Sequence, residues 1–311
     1  MHYSPAPLHI PDGFLTLAVS SLCWIITAIT LSVAISRSNK SLGERQVPLM
    51  GIMAAFIFAA QMINFPVAGG TSGHLLGGAL AAITLGPWAG MLVMTAVIAV
   101  QALLFQDGGL LVMGANILNM GLITAAIGYG LYRGVPAGNR TLKLAVAGIA
   151  AWLSVMAGAL FTSLQLWLSG TSQLQVVIPA MLTVHALIGL GEAFITVAAL
   201  TFILQTRPDL LGEHSASAQG SRGWIAAGGL ISLAVLLLSP FASTDPDGLE
   251  RVAGNLGFLN KGVSAPYQFM PDYVLPVLTQ GYIATVLAGF IGLVVVGTII
   301  VLLGKGLRAK N

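Results

Sequence analysis

Long apolar runs separated by short polar clusters dominate the chain, at residues 14–36, 48–63, 74–86, 88–105, 110–132, 142–168, 176–205, 223–241 and 280–304. Most of them reach or approach the roughly 20 residues a helix needs to cross a bilayer, so the pattern predicts nine helical spans. The third is too short to cross alone. It sits between the Gly/Pro-rich stretch NFPVAGGTSGH and the turn Gly86-Pro87-Trp88, and is expected as a half-buried helix lined by protein.

Composition agrees with this pattern. Hydrophobic residues make up 56% of the 311 and charged residues 7%, against about 25% charged in soluble domains. The expected fold is therefore an all-α polytopic membrane protein of the cell (inner or cytoplasmic) membrane. Placing the N-terminus outside puts all but Arg251 and Lys261 of the 13 Lys and Arg residues on the cytoplasmic side, so the positive-inside rule predicts N-out and C-in. The net charge of +3 then reports cytoplasmic loops and argues for no nucleic-acid partner. The lone Cys23 lies in the first run, where it reads as packing and excludes an intramolecular disulfide. The opening residues lack the basic region and cleavage pattern of a signal peptide.

Residues 206–223, polar and rich in Ser and Gly, read as a cytoplasmic linker. They divide the chain into a unit of seven spans, 1–205, and a unit of two, 224–311, whose spans enclose a long outer segment, 242–279. Enzymatic signatures are missing: there is no G-x-x-x-x-G-K-[ST], no H-E-x-x-H, no Cys cluster and no G-x-S-x-G, and "GKGL" at 304–307 is not a P-loop. The reading is that this protein is no enzyme and that any ATP hydrolysis belongs to other subunits.

Histidine is the commonest metal ligand, and five occur: His2, His9, His74, His185 and His214. His214, in the linker, is expected to be solvated. His74 lies in a segment whose glycines permit irregular backbone at membrane depth, as a cavity lining requires; it reads equally as a ligand or as a helix-end hydrogen bonder. A chain that begins X-His offers its amine, the His amide nitrogen and the imidazole to one metal, and one distant imidazole would complete four nitrogens, a set that suits Ni(II), Cu(II) or Co(II). His185 and Glu192, seven apart on one helix face, serve as neighbours orienting a ligand, as a proton site, or as a structural tie between helices; the structural role is favoured.

Several motifs together resemble one family. HIPDGFL (9–15), NFPVAGGTSGHLLGG (64–78), GPWAGMLVM (86–94), QALLFQDGG (101–109) and GANILNMG (114–121) are similar to the CbiM/NikM substrate-binding components of cobalt and nickel energy-coupling-factor transporters. PDGLE (246–250) resembles their small two-helix CbiN/NikN companion, here fused. The resemblance implies a seven-helix metal-binding bundle plus a two-helix C-terminal unit, transporting Co²⁺ or Ni²⁺ with no permanently bound cofactor. It implies as partners a transmembrane coupling component, cytoplasmic ATPase subunits and membrane lipid.

In that family the chain starts Met-His and its tip supplies the amine, amide and imidazole, with a histidine of the Gly-rich segment as fourth donor. Carried onto this chain, the metal site is Leu8, His9 and His74, with His185, Glu192 and Asn64 as neighbours that orient the ligands. With Pro7 in front, the Leu8 nitrogen is an amide and one donor is lost. The preferred explanation is a start at position 8, read as Met from a TTG codon. Metal binding by the chain begun at Met1 is then expected to fail. The alternatives are ligation by Met1 and His2 in the full chain, and proteolytic removal of residues 1–7. Neutral donor imidazoles predict uptake that weakens as pH falls through the histidine range. The competing functional readings are a stand-alone ion-coupled secondary transporter using His185 and Glu192, and a purely structural subunit.

Overall fold

The computed structural model describes residues 9–43, 46–136, 138–211, 223–278 and 281–308. His2, Leu8 and His214 lie outside them, as does Met1. The apolar runs all become helices: α1 (Leu17–Ser41), α2 (Gln46–Gln61), α3 (Gly78–Leu85), α4 (Pro87–Phe105), α5 (Met113–Asn116), α6 (Thr124–Tyr132), α7 (Arg140–Leu168), α8 (Leu174–Thr206), α9 (Gly223–Leu238) and α11 (Gly281–Arg308). A π-helical stretch, Ile117–Ile123, joins α5 and α6 into one rod, Met113–Tyr132. The short α10 (Gly248–Asn255) lies in the segment between α9 and α11.

The expectation of nine spans is corrected in one respect. Among the described residues, seven helices are long and apolar enough to cross a membrane. α2 has 16 residues, and α3 has eight, about 12 Å at 1.5 Å per residue. All eight residues of α3 are buried, so this helix is enclosed by protein rather than half-buried. Hydrophobic runs report burial, and protein buries a segment as well as lipid does.

A second difference is a small antiparallel hairpin, β1 (Phe65–Val67) with β2 (Thr71–Gly73), in a chain expected to be wholly helical. Phe65 pairs with Gly73 and Val67 with Thr71. Gly69 and Gly70, at φ 80° and 66°, make the turn in the left-handed region that costs glycine little. Pairing satisfies backbone groups that have no helical partner here.

The C-terminal helices share one core with the rest. The buried residues of α11 include Ala284, Ala288, Gly292, Val296, Ile300 and Gly304, four residues apart and several of them small. Such a stripe lets backbones approach closely where lipid removes the hydrophobic drive for association. A Cβ on Gly292 would run into Phe58 of α2 and Phe105 of α4, and one on Gly51 of α2 would meet Val301. At the other end of the linker, the Arg207 guanidinium lies 5.0 Å over the Trp224 ring. Cys23 is buried, as packing requires.

Candidate metal centre

The segment His9 to Leu15 lies across one end of the bundle and is tied down residue by residue. Asn116, at the end of α5, grips the Ile10 main chain with both ends of its amide: the Ile10 N–H donates to Oδ1 at 3.1 Å and Nδ2 donates to the Ile10 carbonyl at 3.0 Å. Gly109 N–H donates to that same carbonyl at 2.9 Å. The Asp12 carboxylate accepts the N–H groups of Leu110, Leu111 and Val112 at 3.0, 2.9 and 3.1 Å. From the C-terminal unit, Val263 N–H donates to the Asp12 carbonyl at 2.7 Å. His9 therefore sits on a backbone with little freedom.

The His74 segment is held from below. Glu192, fully buried in α8, accepts Leu76 N–H at 2.6 Å and Gly77 N–H at 2.9 Å, while Gln61 Nε2 donates to the Leu76 carbonyl at 2.7 Å. These bonds satisfy the backbone at the irregular step between the hairpin and α3. Glu192 thus ties α8 to the His74 segment through backbone amides and not through His185.

These two supports bring His9 and His74 together. Their ring centroids are 5.6 Å apart with the planes at 76°. Both line a cavity of about 70 Å³, which they share with His185, Asn116, Asn119, Met120, Thr162 and, from the C-terminal unit, Asp247 and Gly248. A Cβ on Gly248 would stand 2.9 Å from His185 Cε1, so only glycine allows the PDGLE turn to sit this close. Asn64 is not among the lining residues; its main-chain carbonyl accepts Ser243 N–H at 2.7 Å, joining the hairpin to the C-terminal unit.

Tautomers follow from the partners. Nδ1 of His9, His74 and His185 lies 3.1, 3.0 and 2.8 Å from the carbonyl oxygens of Asp107, Leu75 and Met181. A carbonyl accepts only, so each Nδ1 carries a proton, and in the neutral ring Nε2 is the nitrogen that keeps a lone pair. Neutral imidazoles held in this way through Nδ1–H are the usual form of metal-ligating histidine. His9 Nε2 is buried and has no hydrogen-bond partner among the described residues. No group of three or more His, Cys, Asp or Glu side chains there is arranged to hold a metal, so the side-chain donors are few.

The residues that build the site but were not singled out individually in the sequence are Asp107, Asn116 and Asn119. Each lies in a stretch that carried the resemblance, and for Asn116 and Asn119 polarity inside the apolar run 110–132 was the available signal. Asn119 pairs reciprocally with Gln165 of α7 at 2.7 and 2.9 Å. The π-helical register after Asn116 accompanies this placement, as π turns often do at functional sites.

Residues 9–210 match the family described as the cobalt uptake substrate-specific transmembrane region, and residues 222–309 match the PDGLE domain. The chain belongs to the CbiM family, with a PDGLE domain fused to it. A protein of Archaeoglobus fulgidus named for fused nickel transport, NikMN, is 39% identical over 93% of this chain and 95% of its own length. The fused nickel transport protein NikMN of Rhodobacter capsulatus is 29% identical over 97% and 98%. Among solved structures, a transition metal transporter crystal structure superposes with a TM-score of 0.58 at 34% identity, covering 68% of this chain and all of that one. This CbiM-family chain is a multi-pass membrane transport protein and not an enzyme.

Proposed function

We propose that this chain is the substrate-binding subunit of an ATP-driven importer for Co²⁺ or Ni²⁺, a seven-helix bundle with its N-terminus outside and a two-helix C-terminal unit. It holds the ion through the imidazoles of His9 and His74. The observation that carries this reading is the buried Nε2 of His9, without a hydrogen-bond partner among the described residues, in a cavity shared with His74. Protein interiors rarely leave such an atom without a partner, and a cation supplies one. The Co/Ni assignment rests on the family description and on the nickel-transport names of the full-length relatives. A transmembrane coupling component and cytoplasmic ATPases complete the machine, since the family works in energy-coupling-factor transporters.

A second reading adds main-chain nitrogens at Leu8 and His9. A chelate through the His9 amide closes on Nδ1, the nitrogen nearer the backbone, and Nδ1 here faces Asp107. The resemblance favours this chelate; the described geometry favours Nε2.

The test is Ni²⁺ and Co²⁺ titration of the purified full chain, of His9→Ala and of His74→Ala. Both variants are expected to lose binding while keeping their elution profile and melting temperature, and retained binding in either removes that residue from the donor set. A chain begun at position 8 with Met separates the two readings. Under the chelate reading it binds far more tightly than the full chain and gives the spectrum of planar four-nitrogen Ni²⁺. Under the Nε2 reading the two chains share one spectrum.

A further inference from the structure

His74 follows β2 without a break, so whatever fixes the hairpin also fixes the approach to the imidazole. Downstream of His74, Glu192 and Gln61 hold the main chain of Leu76 and Gly77. Upstream, the hydrogen bonds beyond those to β1 come from the C-terminal unit. Ser72 is fully buried and spends both of its donors there: its N–H goes to the Pro246 carbonyl at 2.9 Å and its hydroxyl to the Asp245 carbonyl at 2.7 Å.

The turn of the hairpin is gripped by one side chain of the same unit. Arg251 Nε donates to Thr71 Oγ1 at 3.3 Å, and Nη2 donates to the carbonyls of Gly69 and Gly70. A Cβ on Gly70 would stand 2.8 Å from Nη2, so glycine at this position gives the guanidinium its room as well as the turn its φ. The planar fork spans a side-chain hydroxyl and main-chain carbonyls at once, which a lysine ammonium cannot do. Arg251 is itself set by the cap of α10: the Asp247 carboxylate accepts Glu250 N–H at 2.6 Å and the Asp247 carbonyl accepts Arg251 N–H at 2.8 Å. Asp247 and Gly248 line the cavity that His74 lines. A Cβ on Gly73 would lie 2.6 Å from Ile188 of α8, and one on Gly248 would lie 2.8 Å from it, so β2 and the PDGLE turn rest on one side chain.

We infer that Arg251 is a positioning residue for the metal site: together with the Ser72 bonds it clamps β2, and so sets where the His74 imidazole stands. The C-terminal unit thereby tunes a site to which Arg251 contributes no ligand. Binding sites tolerate errors of only about 0.5 Å in the placement of their donors, and His74 stands one residue beyond the clamped strand. The inference rests on the reading of His74 as a donor and is independent of which His9 nitrogens take part.

Ni²⁺ titrations, absorption spectra and thermal melts would be recorded on the chain begun at Met1 and on the one begun at position 8, and on Arg251→Ala, Arg251→Lys, Thr71→Val, Ser72→Ala and His74→Ala in each. Arg251→Ala should weaken Ni²⁺ binding by about 2- to 30-fold, the range for residues that act on a site without touching its ligand, and should shift the ligand-field bands of the bound ion. Arg251→Lys should stay near the alanine variant. Ser72→Ala should move affinity and spectrum the same way. Thr71→Val added to Arg251→Ala should cost nothing more, because that hydroxyl is held through the guanidinium. A clamp that serves stability alone lowers the melting temperature and leaves affinity and spectrum as in the parent; that result in Arg251→Ala overturns the inference, as does full recovery in Arg251→Lys. The lysine variant carries the same test should the alanine variant not fold. Binding lost in His74→Ala beside an unchanged Arg251→Ala leaves the site standing, and only the clamp's role falls. Parent affinity in His74→Ala removes the underlying reading instead.

Discussion

Replacing Glu192 separates a structural carboxylate from a proton carrier. Its two oxygens take the N–H groups of Leu76 and Gly77, and the side chain is fully buried. In Glu192→Ala both amides are left unsatisfied inside the bundle, each costing about 1–3 kcal/mol, so a loss of about 2–6 kcal/mol is expected. Glu192→Gln keeps one acceptor for two donors and turns an NH₂ toward the second, so it should lose about 1–3 kcal/mol. Because Leu76 follows His74 by two residues, the loosened segment should also weaken Ni²⁺ binding in both, more in the alanine variant. Thermal unfolding in detergent and metal titration of the same preparations read the two effects. Glu192→Ala with unchanged melting temperature and affinity would refute the staple. A Glu192→Gln protein that is stable, binds normally and yet transports nothing would point to proton transfer at this carboxylate.

Two further outcomes follow from other contacts. Asn116→Ala removes its own two ties to the Ile10 main chain and should cost about 1–3 kcal/mol; amide exchange at Ile10 should accelerate, and unchanged protection would count against the clamp. Burial, aided by the charge of Asp107, pushes the Asp272 carboxyl up to about 6 from 3.8. The folded state therefore holds this proton more tightly than the unfolded chain does. The associated stability is complete below about pH 4 and is lost as pH rises through 6. Asp272→Asn should melt above the parent at pH 7.5, with the gap closing toward pH 4. Asparagine also suits the left-handed φ, which adds an offset without pH dependence, so the discriminating observation is the narrowing, and a constant gap counts against it.

Membrane residence and the helical runs were legible in the chain, because a bilayer demands about 20 apolar residues per crossing and punishes charge wherever it is not paired or exposed. His9 and His74, singled out through the motifs HIPDGFL and NFPVAGGTSGH, do line one cavity. Three things were decided only in three dimensions. α3 is closed in by protein on every side, and hydropathy cannot tell such a neighbour from lipid. Glu192 was paired on paper with His185 by helical spacing, yet its carboxylate turns to the amides of Leu76 and Gly77, since a buried acceptor goes to the donors that packing leaves without partners. Asp107 and Tyr273 are separated by more than half the chain and meet at 2.6 Å because α11 packs against α2 and α4 and carries the preceding turn over the end of the bundle. A local pattern sets which residues want burial or a partner. Only the assembled helices determine which partner arrives.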